Sequence, residues 1–437
     1  MVNRVPLVAS KVTAACLMRA STSGSGLRPR AIIVILQVSD TVGLRIDVNM
    51  RVLIVGAGVA GLTAARGLTT AGHQVEVYEA APQLRTEGGS ISIWPSSTGI
   101  LRGFGVDLDG AGRRLEAMEN RSVRGRGLAN IDLTAAERRF GGNPSLHIAR
   151  RELVERIADG VLVHYGHEIR AVDPDRAEIT FTDGSTVRGD VLIGADGRKS
   201  IVGRTLRGEN PSELNGWVTW QAFTTRPTEF TDSGRSLMVS NGRALGSMAS
   251  AGHGRMLWWF DLRAKPGSPF WEGAPGLADR LRERFGHWPE PFPTLLQDAE
   301  TLTFYPHQIH RVPAVWGRGP TTLMGDAAHT MPPAMAMGST QALEDAWALT
   351  RFIDDLRGYE RARTKIVRRV ARAAGSEMPA RQGPLMGLFT DAFTTRNYMS
   401  WLRKSSGYLQ QEGWSSSLQH RPGRASPANG SARAHVQ

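Results

Sequence analysis

The chain has 437 residues, of which 41% are hydrophobic and 22% are charged, and its formal net charge is +12. This composition is typical of a globular protein of two or three domains, and no long apolar run predicts a transmembrane span. The single cysteine, Cys16, excludes an internal disulfide framework and a cysteine-rich metal site, and it suits a reducing compartment such as the cytoplasm.

The positive charge does not by itself indicate a nucleic-acid partner. Basic residues are spread along the whole chain, and no basic stripe is interleaved with aromatic residues. We therefore expect neither a nucleic acid nor a membrane as a partner. The sequence leaves open whether the protein is a monomer or a homodimer.

Both ends of the chain differ in composition from its middle. Residues 1–49 contain the segment STSGSG and no acidic residue before Asp40, a pattern that resembles a transit peptide. We expect residues 1–49 to be an extension that is disordered or not native, because Met50 directly precedes a strand-like segment. Residues 405–437 are rich in Ser, Gly, Arg and Pro, so we expect a disordered tail.

The first structured segment reads MRVLIVGAGVAGLTAARGLTTAGHQVEVYEA, residues 50–80. It predicts a buried strand over Arg51–Val55, a helix over Val59–Thr70 and a second strand over Gln74–Tyr78. Between the first strand and the helix lies the pattern G-x-G-x-x-G, formed by Gly56, Gly58 and Gly61. These glycines permit a sharp turn, close approach to a pyrophosphate, and tight packing of helix on strand.

Glu79 follows the second strand, where an acid accepts hydrogen bonds from both hydroxyls of an adenosine ribose. The same carboxylate repels a 2′-phosphate, which makes NADP unsuitable for this position. The segment therefore predicts a site for the adenosine end of NAD or FAD.

Two later segments also end a strand at a Gly-Asp or Asp-Gly pair. Val191–Ile193 reads as a strand followed by Asp196-Gly197, with Ser200 near a helix start and a hairpin turn upstream at Asp183-Gly184. Thr321–Met324 reads as a strand followed by Gly325-Asp326, then Pro332-Pro333. Gly338-Ser339 then begins a long helix with apolar residues at Ala342, Ala346, Leu349, Ile353 and Leu356.

These three segments, in this order and spacing, resemble the class A flavin-dependent aromatic hydroxylases of the p-hydroxybenzoate hydroxylase type. The likeness spans residues 50–380. It implies an α/β fold with a Rossmann-type FAD-binding domain of the GR2-like kind, a mostly antiparallel β-sheet substrate domain and a C-terminal helical segment. We expect residues 50–205 and 316–375 to bind FAD, with 82–105 partly at the substrate side, 206–315 to form the substrate domain, and 376–404 the helical segment.

The resemblance also implies roles for individual residues. Glu79 binds the adenosine ribose, Asp196 lies near the pyrophosphate, and Asp326 binds the ribityl chain. The segment HIARRELVERI places Arg150 against FAD, and the Pro332-Pro333 loop lies beside the isoalloxazine ring. The expected FAD-binding residues are Gly56, Gly58, Ala60, Gly61, Glu79, Ala80, Arg85, Arg150, Asp196, Gly197, Gly325, Asp326, Pro333, Gly338, Ser339 and Thr340.

One position departs from the family pattern. Where these enzymes have Gly-Gln-Gly before the long helix, this chain has Ala336-Met337-Gly338. If the backbone needs a positive φ at Ala336, the cost is on the order of 1 kcal/mol. The change leaves the shape of this loop, and its contacts with the flavin, open.

The middle of the chain contains aromatic, strand-like segments such as GWVTWQAF and RMLWWFDL. They suit an antiparallel sheet over the flavin, with a large apolar cavity for a bulky, flat substrate. Because successive side chains of a strand point to opposite faces, some of these aromatic residues are expected to lie in the hydrophobic core and not in the cavity. The candidates for substrate contact are Trp220, Gln221, Phe223, Met238, Trp258, Phe260 and Tyr305.

The function implied by the resemblance is that of an FAD-dependent monooxygenase. Such an enzyme uses NADH or NADPH and O₂ to hydroxylate or epoxidise a bulky aromatic or polycyclic small molecule through a flavin C4a-hydroperoxide. Because of the change at Ala336, a second function stays open: that of an oxidase, dehydrogenase or cyclase on the same scaffold, without oxygen insertion. A flavin-binding protein without catalysis is the third alternative.

No acid–base residue is required by this chemistry, so the catalytic residues are left unassigned. His329 and Pro333 are the candidates nearest the predicted flavin loop, and a structural role is the preferred interpretation of His329. His307 and His310 have a metal-like spacing without a carboxylate or thiol cluster nearby, so we expect no metal site.

Overall fold

The computed structural model describes residues 49–208, 212–382 and 387–411. A five-stranded parallel sheet in the order β18-β12-β1-β2-β8 carries the first glycine turn. Its strands are β1 (Arg51–Val55), β2 (Gln74–Glu79), β8 (Val163–Tyr165), β12 (Val191–Gly194) and β18 (Thr321–Leu323). The predicted extension 1–49 lies outside the described residues except for Asn49.

The parallel sheet is stabilised by burial of its central strand and of the helices packed near it. In β1, residues Val52–Ile54 have no exposed surface, as expected for a strand covered on both faces. Helix α1 (Val59–Thr70) packs against α9 (Gly338–Phe352) and α4 (Arg150–Ala158). The predicted long helix ends earlier than expected, at Phe352. A separate helix, α10 (Leu356–Gly375), begins after Asp355, whose side chain caps its N-terminus.

A seven-stranded sheet forms the second layer, in the order β17-β13-β16-β15-β14-β5-β6. All its neighbouring strands are antiparallel except β14 and β5. The strands are β5 (Ala117–Arg121), β6 (Gly127–Asp132), β13 (Ser212–Thr224), β14 (Arg235–Ser240), β15 (Ala244–Gly252), β16 (Arg255–Arg263) and β17 (Thr303–His310). The predicted fold class is confirmed.

One predicted boundary needs correction. Strands β5 and β6 come from the range 50–205 that the sequence assigned to FAD binding, yet they extend the seven-stranded sheet at β14. They do so because the backbone of Ala117–Arg121 completes hydrogen bonding along an edge that β14 leaves open. The antiparallel sheet is therefore not confined to residues 206–315.

Short helices cover one face of the seven-stranded sheet, and the opposite face contacts β7 (Ser145–Ala149) and α11 (Met378–Gln382). The covered face packs under α6 (Leu277–Phe285), α7 (Phe292–Leu295) and the 3₁₀ helix η1 (Leu296–Thr301). We call this the helix face. We call the opposite face, which carries Gln221 and Trp259, the cleft face.

Smaller elements lie along the chain between the strands of the two main sheets. They comprise the sheet β3 (Ser90–Ile93), β7 (Ser145–Ala149) and β4 (Arg113–Leu115), the sheet β9 (Ile169–Asp173), β10 (Glu178–Phe181) and β11 (Thr186–Arg188), and the helices α2 (Pro95–Gly103), α3 (Leu133–Arg139) and α5 (Ile201–Arg207). The hairpin predicted at Asp183-Gly184 joins β10 to β11.

The C-terminal helices extend further than the sequence suggested. They are α11 (Met378–Gln382), α12 (Asp391–Lys404) and α13 (Gly407–Gln410). The tail prediction is wrong for residues 405–411, because Ser405 and Ser406 are buried and the Glu344 carboxylate accepts hydrogen bonds from the backbone N–H groups of Gly407 and Tyr408. Residues 412–437 lie outside the described part of the chain.

Candidate FAD and substrate site

The first glycine turn has the backbone conformation that its sequence predicts. Gly56 has φ +100°, and a Cβ atom there would lie 2.6 Å from the carbonyl oxygen of Ala195. A Cβ at Gly61 would lie 1.9 Å from the Gly56 oxygen, so the helix approaches the turn too closely for any side chain. A Cβ at Gly58 would meet no atom within 4 Å. The turn therefore leaves open space at Gly58, where a pyrophosphate needs to approach the backbone.

Glu79 lies beside this turn and is largely buried. Its carboxylate accepts hydrogen bonds from the backbone N–H groups of Ala57 and Ala81, each at 2.9 Å. Arg85 lies 3.3 Å from the same carboxylate and is mostly exposed. Arg85, predicted to contact FAD, thus contacts Glu79, while Ala80 is exposed next to it.

Asp196, which is predicted to lie near the pyrophosphate, has a structural role in the turn after β12. Its carboxylate accepts hydrogen bonds from the Ser200 hydroxyl at 2.5 Å and from the backbone N–H of Ile201 at 2.7 Å, which caps the start of α5. Burial raises the pKa of the Asp196 carboxyl, while these hydrogen bonds lower it. Gly197 has φ +75°, and a Cβ atom there would meet no atom within 4 Å. The backbone of the turn after β12 is therefore accessible, like that at Gly58.

The second Gly-Asp turn touches the first one. Gly325 has φ +54°, and a Cβ atom there would lie 2.8 Å from the Cβ of Ala60 in α1 and 3.5 Å from that of Ala342 in α9. Only glycine permits this approach of three elements. Two turns separated by more than 250 residues of chain therefore form one continuous surface at the carboxyl edge of the parallel sheet.

The Asp326 carboxylate has no hydrogen-bond partner among the described residues, although its chain neighbours Gly325 and Ala327 are buried. It keeps an exposed surface, as expected for a side chain that faces a cleft. Burial raises the pKa of its carboxyl, while His329, Arg198 and Arg150 act in the opposite direction. Arg150, predicted to face FAD, thus lies close to Asp326, and the sequence missed Arg198, which follows the Asp-Gly pair directly.

The loop before α9 adopts the conformation that the change to alanine makes costly. Ala336 has φ +51° and ψ +35°, in the left-handed region, and its N–H donates to the Pro333 carbonyl at 2.8 Å. Pro333 is exposed, whereas Thr340 is buried and accepts a hydrogen bond from Ser97 at 3.1 Å. Helix α9 begins at Gly338 with no side-chain cap, so the first-turn N–H groups are free to bind a polar group of a cofactor.

His329 is held in a buried polar network. Its Nε2 lies 2.6 Å from Asp345, whose carboxylate also accepts the Gly325 N–H at 2.9 Å and the Arg363 Nε–H at 2.7 Å. Although burial raises the pKa of Asp345, its interactions with His329 and Arg363 lower that pKa by more, so the net shift is downward. His329 thus fixes the second turn, in keeping with the structural role preferred from the sequence.

Strand register determines which candidates can reach the cleft. On the cleft face, one row across the sheet holds Thr303, Gln221, Trp259, Ser247, Met238 and Asn120, each directly opposite the next. This face meets the flavin-binding part of the chain, because a Cβ at Gly89 would lie 3.1 Å from the Gln221 amide. Phe223 shares this face with Gln221, and Tyr305 is 38% exposed there.

The prediction of substrate contact is wrong for Trp220, Trp258 and Phe260. Their side chains belong to the helix-face core, where the Phe260 ring stacks on Phe285 with 4.0 Å between centroids. The physical reason is the two-residue period of a strand, which sends adjacent side chains to opposite faces. The same period places Trp259, which the sequence reasoning missed, on the cleft face beside Trp258.

Among the described residues, no group of three or more His, Cys, Asp or Glu side chains is arranged to hold a metal ion. His307 instead lies 2.7 Å from Glu377, and the His310 Nδ1 accepts a hydrogen bond from the Thr330 N–H at 3.2 Å. None of the described helices is long and apolar enough to cross a membrane.

A separate cleft of about 600 Å³ lies at one end of the seven-stranded sheet and is lined by Trp217, Gly242, Arg243, Arg263 and Arg284. None of these residues belongs to the two glycine turns. This basic cleft is therefore not part of the two glycine turns, although its Trp217 packs in one apolar cluster with Met238, a predicted substrate contact.

The nucleotide turn, the second turn in contact with it and the antiparallel sheet above them define an FAD-binding oxidoreductase. Comparison with known families agrees: the chain belongs to the family described as FAD binding domain, which matches residues 49–372. Named relatives are FAD-dependent monooxygenases, and so is this chain.

Several relatives cover most of the chain. The 3-amino-4-hydroxybenzoate 2-monooxygenase of Streptomyces cremeus is 30% identical over 362 residues, covering 78% of this chain and 90% of that protein. An FAD-dependent urate hydroxylase of Klebsiella pneumoniae is 29% identical over 338 residues, covering 73% and 87%. The crystal structure of Klebsiella pneumoniae HpxO complexed with FAD and uric acid has a TM-score of 0.73 at 25% identity, covering 81% of this chain and 97% of that one.

The residues present fit FAD. The surface open at Gly58, the carboxylate of Glu79 beside it and the unpartnered carboxylate of Asp326 suit the two ends of a long dinucleotide. The uncapped start of α9 adds N–H donors for a polar edge. These features explain why the chain builds a second glycine turn against the first.

Proposed function

We propose that this monooxygenase acts on a flat aromatic small molecule bound between the cleft face and the second glycine turn. The observation that carries the proposal is the row through Gln221, Trp259 and Met238, whose partly exposed side chains combine apolar area with one amide. Such a surface suits a planar ring bearing a polar substituent. Relatives that act on urate and on 3-amino-4-hydroxybenzoate support this substrate class.

We propose the following division of roles. Glu79 and the Gly56–Gly61 turn hold the adenosine and pyrophosphate end of FAD, while Asp326, Pro333 and the start of α9 hold the other end. When bound, FAD supplies hydride acceptance from NADH or NADPH and activation of O₂. The protein's own part is to bind and orient the substrate and to exclude water.

The partial positive charge at the start of α9 favours negative charge on a bound group by about 0.3–2 kcal/mol. Arg150 and Arg198 add positive charge near Asp326. We expect this environment to stabilise the reduced, anionic form of the cofactor, and so to favour reduction by a nicotinamide. A cytoplasmic location, where that reductant is available, is part of the proposal.

The experiment uses the full chain, purified and loaded with FAD. Uric acid, 3-amino-4-hydroxybenzoate and 4-hydroxybenzoate are supplied with NADH or NADPH, and nicotinamide oxidation and product mass are followed. We expect oxidation to accelerate with at least one compound and to give a product heavier by one oxygen atom. Reduction of the flavin by a compound alone, or no product with any reductant, would reject oxygen insertion into this substrate class.

A further inference from the structure

Trp259 is placed differently from every other large aromatic residue in the middle of β16. It is partly exposed on the cleft face, directly opposite Gln221 on one side and Ser247 on the other. The adjacent Trp258 has no exposed surface and lies in the helix-face core. A partly exposed indole between two polar side chains offers an apolar surface on which a flat aromatic ring can pack.

The indole of Trp259 is backed from the flavin-binding side. The His147 ring lies nearly parallel to it, with 6.5 Å between ring centroids and 17° between planes. His147 is itself fixed, because its two ring nitrogens lie 2.5 Å from the Ser90 hydroxyl and 2.8 Å from the Ser92 hydroxyl. Burial lowers the pKa of His147 to about 4, so the ring is neutral near pH 7.

Asp261 lies two residues along β16 from Trp259 and on the same face of the sheet, so the two side chains are neighbours. The Asp261 carboxyl is buried, and burial raises its pKa to about 6, while His307, Thr219 and Trp259 act in the opposite direction. Its Oδ1 also accepts a hydrogen bond from Thr219 at 2.5 Å.

Next to Asp261 on this face, a chain of buried polar side chains leads to Glu377 at the start of the C-terminal helices. The Thr219 hydroxyl lies 2.8 Å from His307 Nε2, and His307 Nδ1 lies 2.7 Å from Glu377. Glu377 has φ +51° between α10 and α11, and it also accepts a hydrogen bond from Asn215 at 2.7 Å. Thr219, Asp261 and His307 alternate in step with Gln221 and Trp259, so this chain of groups lies on the cleft face itself, and none of the FAD-binding roles assigned above involves it.

We infer that Trp259 is a substrate-contacting, specificity-determining residue, and that Asp261 is the positioning residue that holds its indole against the ring of a planar aromatic substrate. The Gln221 amide, which has no hydrogen-bond partner among the described residues, lies opposite to receive a polar substituent of that ring. This inference rests on the proposed function and deepens it, because it names the residues that select the substrate.

The test compares Trp259→Leu with Trp258→Phe, its neighbour on the opposite face. The holoenzymes are assayed with uric acid, 3-amino-4-hydroxybenzoate and 4-hydroxybenzoate, and with NADPH alone. For each compound that the wild type oxygenates, we expect Trp259→Leu to raise KM about tenfold or more and Trp259→Phe to restore much of it. FAD content stays at the wild-type value in these variants, and Trp258→Phe, on the opposite face, leaves both KM and flavin reduction without substrate within about twofold.

Asp261→Leu and Asp261→Asn test the positioning role. We expect Asp261→Leu to raise KM in the same direction as Trp259→Leu, and Asp261→Asn, which keeps a hydrogen-bonding group, to stay near the wild type. An unchanged KM in Trp259→Leu, with an active wild type, would overturn this inference alone. A wild type that oxygenates none of the compounds would overturn the proposed function and this inference with it.

Discussion

The parallel sheet and the seven-stranded sheet build their parts of the site in different ways. At the carboxyl edge of the parallel sheet, backbone conformation makes the site: Gly56, Gly61 and Gly325 allow approaches that no side chain permits. On the seven-stranded sheet, the direction of each side chain determines whether it belongs to the site. Trp258 points into the helix-face core, whereas its neighbour Trp259 points to the cleft face. Substitutions in the first region should therefore affect cofactor binding by changing the backbone. In the second region, the effect of a substitution on substrate binding should depend on the face of the sheet to which the side chain points.

The largest expected effect comes from adding a methyl group in the first turn. Gly56→Ala puts a Cβ 2.6 Å from the Ala195 carbonyl at a φ of +100°, so we expect loss of both FAD and a cooperative thermal transition. Gly58→Ala has open space, so we expect normal folding with FAD binding weakened at least about tenfold. Calorimetry and the flavin-to-protein ratio check both; equal behaviour of the two variants would contradict the difference.

The buried network behind the second turn comes next. Arg363→Met leaves Asp345 and Glu344 without their shared positive charge, so we expect a loss of about 3–5 kcal/mol in the free energy of unfolding. Arg318→Ala is the control, since the Arg318–Asp175 pair is exposed on both sides and is worth about 1 kcal/mol or less. Urea unfolding of the two variants measures both values, and losses of similar size would refute a stabilising role for the network.

Much of the parallel sheet was predictable because its signals are local. The helix Val59–Thr70 has the predicted bounds, and Ser200 caps α5 as expected. On the cleft face, Gln221 and Trp259 share a row only through pairing of strands about forty residues apart, and a slip of one residue reverses every side chain. Sequence alone could not fix that register, nor the burial of Ser405 against α9, which depends on the side chain of Gln341.

Asp261 gives the cleft face a pH dependence of stability. Burial raises its pKa from 3.8 to about 6, against the effects of His307, Thr219 and Trp259, while Glu377 raises it further. The native state therefore holds this proton more tightly than the unfolded chain, and its contribution to stability falls as pH rises from about 4 to 6. Relative to Asp261→Asn, the wild type should lose about 2–3 kcal/mol over this range, as measured by urea unfolding at each pH. A constant difference between the two proteins would contradict the buried, protonated state.

The smallest effect is expected at Ala336, in the loop before α9. Because its φ is +51°, Ala336→Gly should relieve strain and change the free energy of unfolding by about 1 kcal/mol or less in the stabilising direction. Ala334→Gly, two residues earlier in the same loop, serves as the control and should not stabilise. A destabilised Ala336→Gly protein would show that the left-handed conformation costs nothing there.

The most direct test of the account is titration of the flavin-free protein with FAD, followed by flavin fluorescence, for the wild type, Glu79→Lys and Asp326→Ala. Folding of each protein is checked by circular dichroism. The account predicts one FAD bound per wild-type chain, loss of binding in Glu79→Lys, and binding weakened about tenfold in Asp326→Ala, because one cofactor contacts both turns. A folded wild type that binds no FAD, or variants that bind it as the wild type does, would contradict the account.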